Sequence, residues 1–158
     1  MSRRFDNPTM HRRRTTEAGM AVVHGSSGGR TPPASDLLAQ WRERLRAADY
    51  AALTDLYHHE AFLLGSTAAP HVGRNQIREY FESLGPMSDA DVDFSQVTSR
   101  LVRPDVLLVV ALAEFTLDDM SLPMWLTQVW VEDWAGWVIA GHHASPRADL
   151  RGSFSPHQ

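Results

Sequence analysis

Three polar side chains stand alone inside long apolar runs in the second half of the chain: Glu114, Gln128 and His142. A polar group among apolar neighbours costs free energy unless it is paired or put to use. Burial disfavours the charged form of a carboxyl group, which suits it to general acid or base work near neutral pH. We therefore predict a pocket in which Glu114 and His142 form a catalytic proton-transfer pair and Gln128 orients the substrate. The alternative is a structural Glu–His or Glu–Arg pair at the mouth of the pocket, since buried pairs also shift pKa values without catalysis.

The runs that carry these residues are predicted strands of one curved antiparallel sheet. They span residues 106–115, 124–131 and 137–143, are rich in valine, isoleucine and aromatic residues, and have the length of strands rather than helices. Strand alternation places on one face Val106, Leu108, Val110, Leu112 and Glu114. The opposite face is too apolar to be left in water, and we expect a second copy of the chain to cover it, forming a homodimer; it holds Leu107, Val109, Ala111, Ala113 and Phe115.

The first half of the sequence predicts three helices and a short strand. Ser35 or Asp36 can cap a helix that continues to Leu45, and Asp49 restarts it as a second helix. A short strand follows at residues 61–64, and residues 66–73 form a loop or a poor edge strand. A third helix ends before Gly85-Pro86, and its apolar residues recur at helical spacing: Ile77, Tyr80, Phe81 and Leu84. A further strand is predicted from residue 92 to residue 102.

The length of 158 residues leaves room for one domain with one core. We divide the chain into a disordered basic tail at residues 1–34, a folded domain at 35–146 and a C-terminal tail at 147–158. The net charge is −4, and because residues 1–34 hold six arginines against two acidic residues, for +4, the remainder carries −8. An acidic body argues against nucleic acid as a partner, because phosphate binding needs a basic surface. No apolar segment is long enough to span a membrane, so no membrane partner is predicted.

Residue types that would hold a metal or a cofactor give little signal. Cysteine is absent, which excludes disulfides and thiolate ligands and fits a cytoplasmic location. His58-His59-Glu60 and His71 lack the spacing of a known zinc motif, so we predict no metal and interpret the cluster as a solvated helix end. The sequence contains no phosphate loop, dinucleotide fingerprint or serine-nucleophile elbow, and we predict no cofactor.

The order of elements resembles the nuclear transport factor 2-like fold, an α+β cone in which three N-terminal helices pack against a curved antiparallel sheet. Gly73-Arg74-Asn75-Gln76-Ile77 is similar to the motif that opens the third helix of that fold. Residues 127–130 and 137–146 resemble the final hairpin of the association domain of calcium/calmodulin-dependent protein kinase II. Within the superfamily the chain is most similar to the SnoaL-like group, including the SgcJ/EcaC proteins of polyketide and enediyne pathways. The resemblance covers residues 36–146.

The resemblance implies a pocket between the helices and the sheet. It places on the inner face, together with Glu114, the residues Leu126, Gln128, Trp130, Val138, Ala140 and His142. The positions that match the pocket arginines of the kinase domain are Leu112, Gln128 and Ala144, so those arginines are missing. Small-molecule pockets are mostly apolar and aromatic, and the ligand-binding residues that we expect are Trp41, Tyr57, Phe62, Tyr80, Leu112, Gln128 and Trp130.

The leading functional hypothesis is a cofactor-free acid–base enzyme of the isomerase, cyclase, dehydratase or hydrolase type. Its substrate would be a small hydrophobic metabolite, for example a polyketide-like one. Two alternatives of the same fold are a non-catalytic ligand-binding protein and an oligomeric association module. Fold alone does not decide among them, because one fold hosts many unrelated functions.

Overall fold

The computed structural model describes residues 30–65, 67, 69–85, 91–117 and 120–147. The predicted tails at 1–34 and 147–158 fall mostly outside them. Ala34, placed in the tail by the sequence, is the first residue of a helix and is buried. Arg147 also belongs to the folded part, because its backbone N–H donates to the Pro123 carbonyl at 3.1 Å.

Three helices and six strands make up the described part of the domain. The helices are α1 (Ala34–Arg46), α2 (Tyr50–Asp55) and α3 (Gly73–Ser83). The strands are β1 (Tyr57–Leu64), β2 (His71–Val72), β3 (Asp91–Arg103), β4 (Val106–Leu117), β5 (Met120–Asp133) and β6 (Gly136–Pro146). They form one sheet in the order β2-β1-β6-β5-β4-β3, in which β1 and β6 are parallel and the other neighbours antiparallel. The predicted α+β architecture is confirmed.

The first helix forms where the apolar spacing predicts it, although its cap differs. Its buried face consists of Ala34, Leu37, Leu38, Trp41 and Leu45. The predicted caps, Ser35 and Asp36, are wrong: Pro33 is the N-cap residue, and its carbonyl accepts from Asp36 N–H at 3.0 Å. Proline suits this position because the first N–H groups of a helix have no partner within the helix. Asp49 caps α2 as predicted, since its Oδ1 accepts from Ala52 N–H at 3.0 Å.

The first strand begins four residues earlier than the predicted 61–64. Tyr57 pairs with Ile139, and Phe62 pairs with Gly141, with an irregular register between them. His58, His59 and Glu60 therefore lie on a strand, and their interpretation as a helix end is wrong. Residues 57–60 are extended because β1 pairs with β6 in parallel. Local sequence patterns do not predict a contact between segments so far apart in the sequence.

The predicted face of β4 is inverted. Leu107, Val109, Ala111 and Ala113 lie in the core and face the helices, whereas Glu114 is exposed on the other side of the sheet. Alternation sorts side chains into two sets but does not say which set faces inward, and both sets are apolar here. Leu112 is also on the outer side, paired with Trp125.

A β-bulge in β6 changes the inward set of that strand as well. Val129 pairs with Gly141 and Trp130 with Ile139, so one residue of β6, Ala140, is left without a partner. The extra residue shifts the alternation by one. Ile139 therefore joins the core beside Trp130, and the prediction that Val138 and Ala140 share the inner face with His142 is wrong.

Candidate ligand-binding site

A cavity of about 220 Å³ lies between the helices and the inner face of the sheet. Nearly all of its wall is apolar. The lining residues are Trp41, Leu45, Leu63, Gly65, Tyr80, Phe81, Leu84, Phe115, Met120, Leu122, Met124, His142 and Ala144. Three of them, Leu84, Met120 and Leu122, are solvent-exposed and form an apolar rim. The cavity thus has the composition of a site for a small organic molecule.

His142 brings an imidazole to this cavity from the centre of β6. Its side chain is buried, at 7% exposure, and its Nδ1 lies 2.7 Å from the Tyr57 hydroxyl oxygen. The two rings are nearly parallel, with an interplanar angle of 5° and centroids 6.0 Å apart. The indole of Trp41 approaches the imidazole edge-on at 5.5 Å. Packing and hydrogen bonding together fix the orientation of the ring.

A second hydrogen bond extends this arrangement to α1. The Trp41 indole N–H donates to the Tyr57 hydroxyl oxygen at 2.9 Å. Trp41, Tyr57 and His142 therefore form a continuous buried chain, which we call the Trp–Tyr–His chain. Its members come from a helix, β1 and β6, so the fold rather than the local sequence brings them together.

The two titratable residues of the Trp–Tyr–His chain, His142 and Tyr57, are held in their neutral forms. Burial, and to a smaller extent the charge of His143, lowers the pKa of His142 from 6.5 to about 3. Burial raises the pKa of Tyr57, and the hydrogen bond from Trp41 offsets only part of this effect. At neutral pH the cavity therefore presents a neutral imidazole backed by a neutral phenol.

Glu114 is not part of this site, and the predicted convergence with His142 is wrong. It is exposed on the outer face of the sheet, opposite Pro123 of β5. Its Oε1 accepts a hydrogen bond from the Ser121 hydroxyl at 2.6 Å. The predicted role required a buried carboxyl group, but the Glu114 side chain lies on the face of β4 that is turned away from the helices.

The other predicted ligand-binding residues divide into three groups. Trp41 and Tyr80 line the cavity, and Tyr57 lies behind His142. Gln128 and Trp130 are fully buried on the inner face but do not reach the cavity wall. Phe62, which is 58% exposed, and Leu112, on the outer face, lie away from it.

Gln128 is held by its neighbour in β5. The Trp130 indole N–H donates to the Gln128 Oε1 at 3.0 Å, and the Gln128 Nε2 is buried without a partner among the described residues. Its predicted role in orienting a substrate has no support from the cavity wall, which does not include it.

Sequence patterns missed the small and flexible residues of the cavity wall. Gly65 lies directly against the Tyr80 hydroxyl, and a Cβ at this position would overlap that ring. Ala144 follows His142 on the same face of β6, and Met124 lies on the inner face of β5. Only their position relative to His142 in the sheet could have identified them, and that required the register.

One cluster of metal-ligating side chains occurs within the described ranges. Ligand atoms of His58, His59 and Glu60 all lie within 4.8 Å of one another on β1. The His58 Nδ1 accepts from the backbone N–H of Glu60 at 3.2 Å, which occupies one of the candidate ligand atoms. His59 and Glu60 are exposed, and the cluster is separate from the cavity.

Comparison with known proteins identifies the family. Residues 34–149 match the SnoaL-like domain family. The chain belongs to the SnoaL-like domain family. This SnoaL-like protein has the nuclear transport factor 2-like fold, and both resemblances predicted from the sequence are confirmed. No match is found among curated proteins.

Several solved structures share the fold of this SnoaL-like protein. A proposed calcium/calmodulin-dependent protein kinase II association domain from Xanthomonas campestris is 24% identical, with a TM-score of 0.68 over 73% of this chain and 86% of its own. A proposed ketosteroid isomerase from Parabacteroides distasonis is 17% identical, with a TM-score of 0.63 over 72% and 87% of the two chains. A proposed dehydratase from Streptomyces avermitilis is 16% identical, with a TM-score of 0.62 over 72% and 93%. At these identities the likeness is one of fold.

None of the described helices is long and apolar enough to cross a membrane.

Proposed function

We propose that this SnoaL-like protein binds a small, largely apolar organic molecule in the cavity between its helices and sheet. The observation that carries the proposal is the buried imidazole of His142 in the mostly apolar wall of a cavity of about 220 Å³, where Tyr80 is the other described lining residue with a polar side-chain group near the ligand space. An apolar wall supplies binding free energy through burial, and one polar group fixes the orientation of the ligand. A cytoplasmic location stays a prediction.

The size of the cavity favours a compact ligand. Pockets that enclose drug-sized molecules have volumes of about 300–1,000 Å³, and this cavity is smaller, at about 220 Å³. A polycyclic, polyketide-like molecule would have to extend beyond it. The exposed rim of Leu84, Met120 and Leu122 provides an apolar surface on which such an extension could lie.

Thermal unfolding with matched probes tests this proposal. A ligand that binds only the folded state adds about 2.7 kcal/mol of stability at 100 times its Kd. Indane, an apolar bicyclic hydrocarbon, should therefore raise Tm by several degrees near saturation. Indane-1-carboxylate should not, because burying its charge in an apolar cavity is costly. Equal shifts from the two compounds, or none from indane, would contradict the proposal.

A second candidate function is cofactor-free acid–base catalysis of the isomerase or dehydratase type. The specific observation in its favour is the Trp–Tyr–His chain, which holds a neutral imidazole against the cavity. A neutral imidazole can polarise a carbonyl group by donating a hydrogen bond. The described lining residues include no carboxylate, so proton abstraction would have to rely on His142, whose low pKa makes it a weak base. Binding is therefore the better-supported function.

We also propose that a second copy of the chain covers the outer face of the sheet. This face is apolar and only partly buried in one chain, although antiparallel sheets usually carry polar residues on the side that meets water. Its partly buried or exposed apolar residues are Leu108, Val110, Trp125 and Val129, whereas Leu112 is already buried within one chain. A twofold pairing would bury the same patch on both copies.

Light scattering at micromolar concentration checks this assembly. The wild-type protein should have the mass of a dimer, twice the 17.7 kDa of one chain. Val110→Glu should shift it to the monomer, because a carboxylate would be buried between the copies. Ala51→Glu, an exposed change on α2, should leave the dimer intact. A wild-type monomer would overturn the proposal.

A further inference from the structure

We propose that His142 meets the ligand as a hydrogen-bond donor through Nε2–H, and that the ligand is therefore an uncharged molecule whose buried oxygen carries no hydrogen, such as a ketone. This inference rests on the proposed function, because it names the ligand class of the same cavity. It follows from the directions of two hydrogen bonds in the Trp–Tyr–His chain.

The first direction is fixed by the chemistry of indole. Trp41 Nε1 can only donate, so its 2.9 Å hydrogen bond uses one lone pair of the Tyr57 hydroxyl oxygen. The Tyr57 hydroxyl keeps its own hydrogen, and Tyr57 is completely buried. Arg74 also contacts Tyr57, but its Nε donates to the backbone carbonyl rather than to the hydroxyl.

The second direction follows from where the hydroxyl hydrogen can go. Among the described residues, the acceptor within reach is Nδ1 of His142, at 2.7 Å. The opposite arrangement, with Nδ1–H donating to Tyr57, would leave the hydroxyl hydrogen buried without a partner, which is costly. We therefore assign Nδ1 as the acceptor. A neutral imidazole carries one hydrogen, which then resides on Nε2.

The remaining imidazole nitrogen is available to a ligand. His142 lines the cavity, and its Nε2 makes no hydrogen bond to the described residues and is not among their fully buried, unpartnered atoms. A ketone oxygen satisfies this donor with nothing left over. An alcohol brings a hydrogen that needs an acceptor of its own, and the hydroxyl of the other polar lining residue, Tyr80, lies against Gly65 rather than beside His142. A carboxylate or ammonium group would lose its hydration.

The tautomer of His142 in the free protein is the first test. Nitrogen-15 NMR of labelled histidine should show the hydrogen of His142 on Nε2, with Nδ1 as an acceptor, at neutral pH. Tyr57→Phe removes the donor to Nδ1 and should shift the tautomer equilibrium away from this state. Tyr50→Phe is the matched control, because the Tyr50 hydroxyl donates to the Gly85 carbonyl and is not part of the Trp–Tyr–His chain. A hydrogen on Nδ1 in the wild type would overturn the inference, whether or not Tyr57→Phe folds.

Two isosteric probes test the ligand class. Calorimetry should show 1-indanone binding at least about tenfold more tightly than indane, because only the ketone satisfies the buried donor. Tyr57→Phe should reduce this ratio, and Tyr50→Phe should preserve it. Equal affinities would overturn the inference while leaving the proposed function intact. Binding of neither probe would overturn the proposed function and with it the ligand class, and the tautomer would still decide the direction of the hydrogen bond.

Discussion

Replacing His142 by phenylalanine should make the domain markedly less sensitive to acid. The pKa of His142 is about 3 in the folded protein and 6.5 in a solvated chain. Between these values the unfolded state binds more protons, so the free energy of unfolding falls as the pH drops below about 6.5. This one group contributes up to about 1.4 kcal/mol per pH unit, or about 3 kcal/mol between pH 7 and pH 4. Above about pH 6.5 both states are neutral and the contribution vanishes.

Urea unfolding at pH 7 and pH 4 measures the effect. Between pH 7 and pH 4, the free energy of unfolding should fall by about 3 kcal/mol less in His142→Phe than in the wild type. At pH 7 the substitution should lower the free energy of unfolding by about 1–3 kcal/mol, because the Tyr57 hydroxyl loses its acceptor. His59→Gln is the matched control, since its imidazole is 73% exposed, and it should keep the wild-type dependence on pH. An acid sensitivity unchanged in His142→Phe would contradict a buried neutral imidazole.

Replacing Ala144 by leucine should abolish most ligand binding without unfolding the protein. Ala144 lines the cavity, and the larger side chain would occupy space that the ligand needs. Leucine has three more carbon atoms than alanine, and each methylene of ligand that is excluded from burial costs about 0.8 kcal/mol. We therefore expect the affinity for indane to fall by roughly 50-fold. Stability should be equal or higher, as is common when a cavity is filled. Calorimetry and thermal melts on the same protein measure the two quantities.

The control for this variant is Ala51→Leu, the same change at an exposed position of α2. It should bind indane as the wild type does. Wild-type affinity in Ala144→Leu would place the ligand outside the cavity.

Local periodicity was enough to predict most of the fold. The spacing of Leu37, Leu38, Trp41 and Leu45 predicts α1, and these residues are buried as expected. The long apolar runs predict β4, β5 and β6 because their composition and length suit strands. What periodicity could not supply was the inward direction of β4, whose two faces are both apolar, and the bulge that shifts β6 by one residue.

The site was harder to predict than the fold for the same reason. His142 was identified because an imidazole in an apolar strand is costly unless it has a partner. Its partners could not be found, because Tyr57 lies 85 residues away in sequence and Trp41 reaches it only through Tyr57. The same rule predicts a buried role for Glu114, but this residue lies on the outward face of β4, where it is exposed and accepts a hydrogen bond from Ser121.

Methyl NMR of the methionines tests the central claim, that the cavity binds a small apolar molecule, most directly. The chain has six methionines, and among the described residues Met120 and Met124 line the cavity. Titration with indane should shift the methyl signals of Met120 and Met124. Ala144→Leu should suppress the shifts. If indane left Met120 and Met124 unaffected at concentrations near its solubility limit, or moved all the methionines alike, the cavity would not be the binding site.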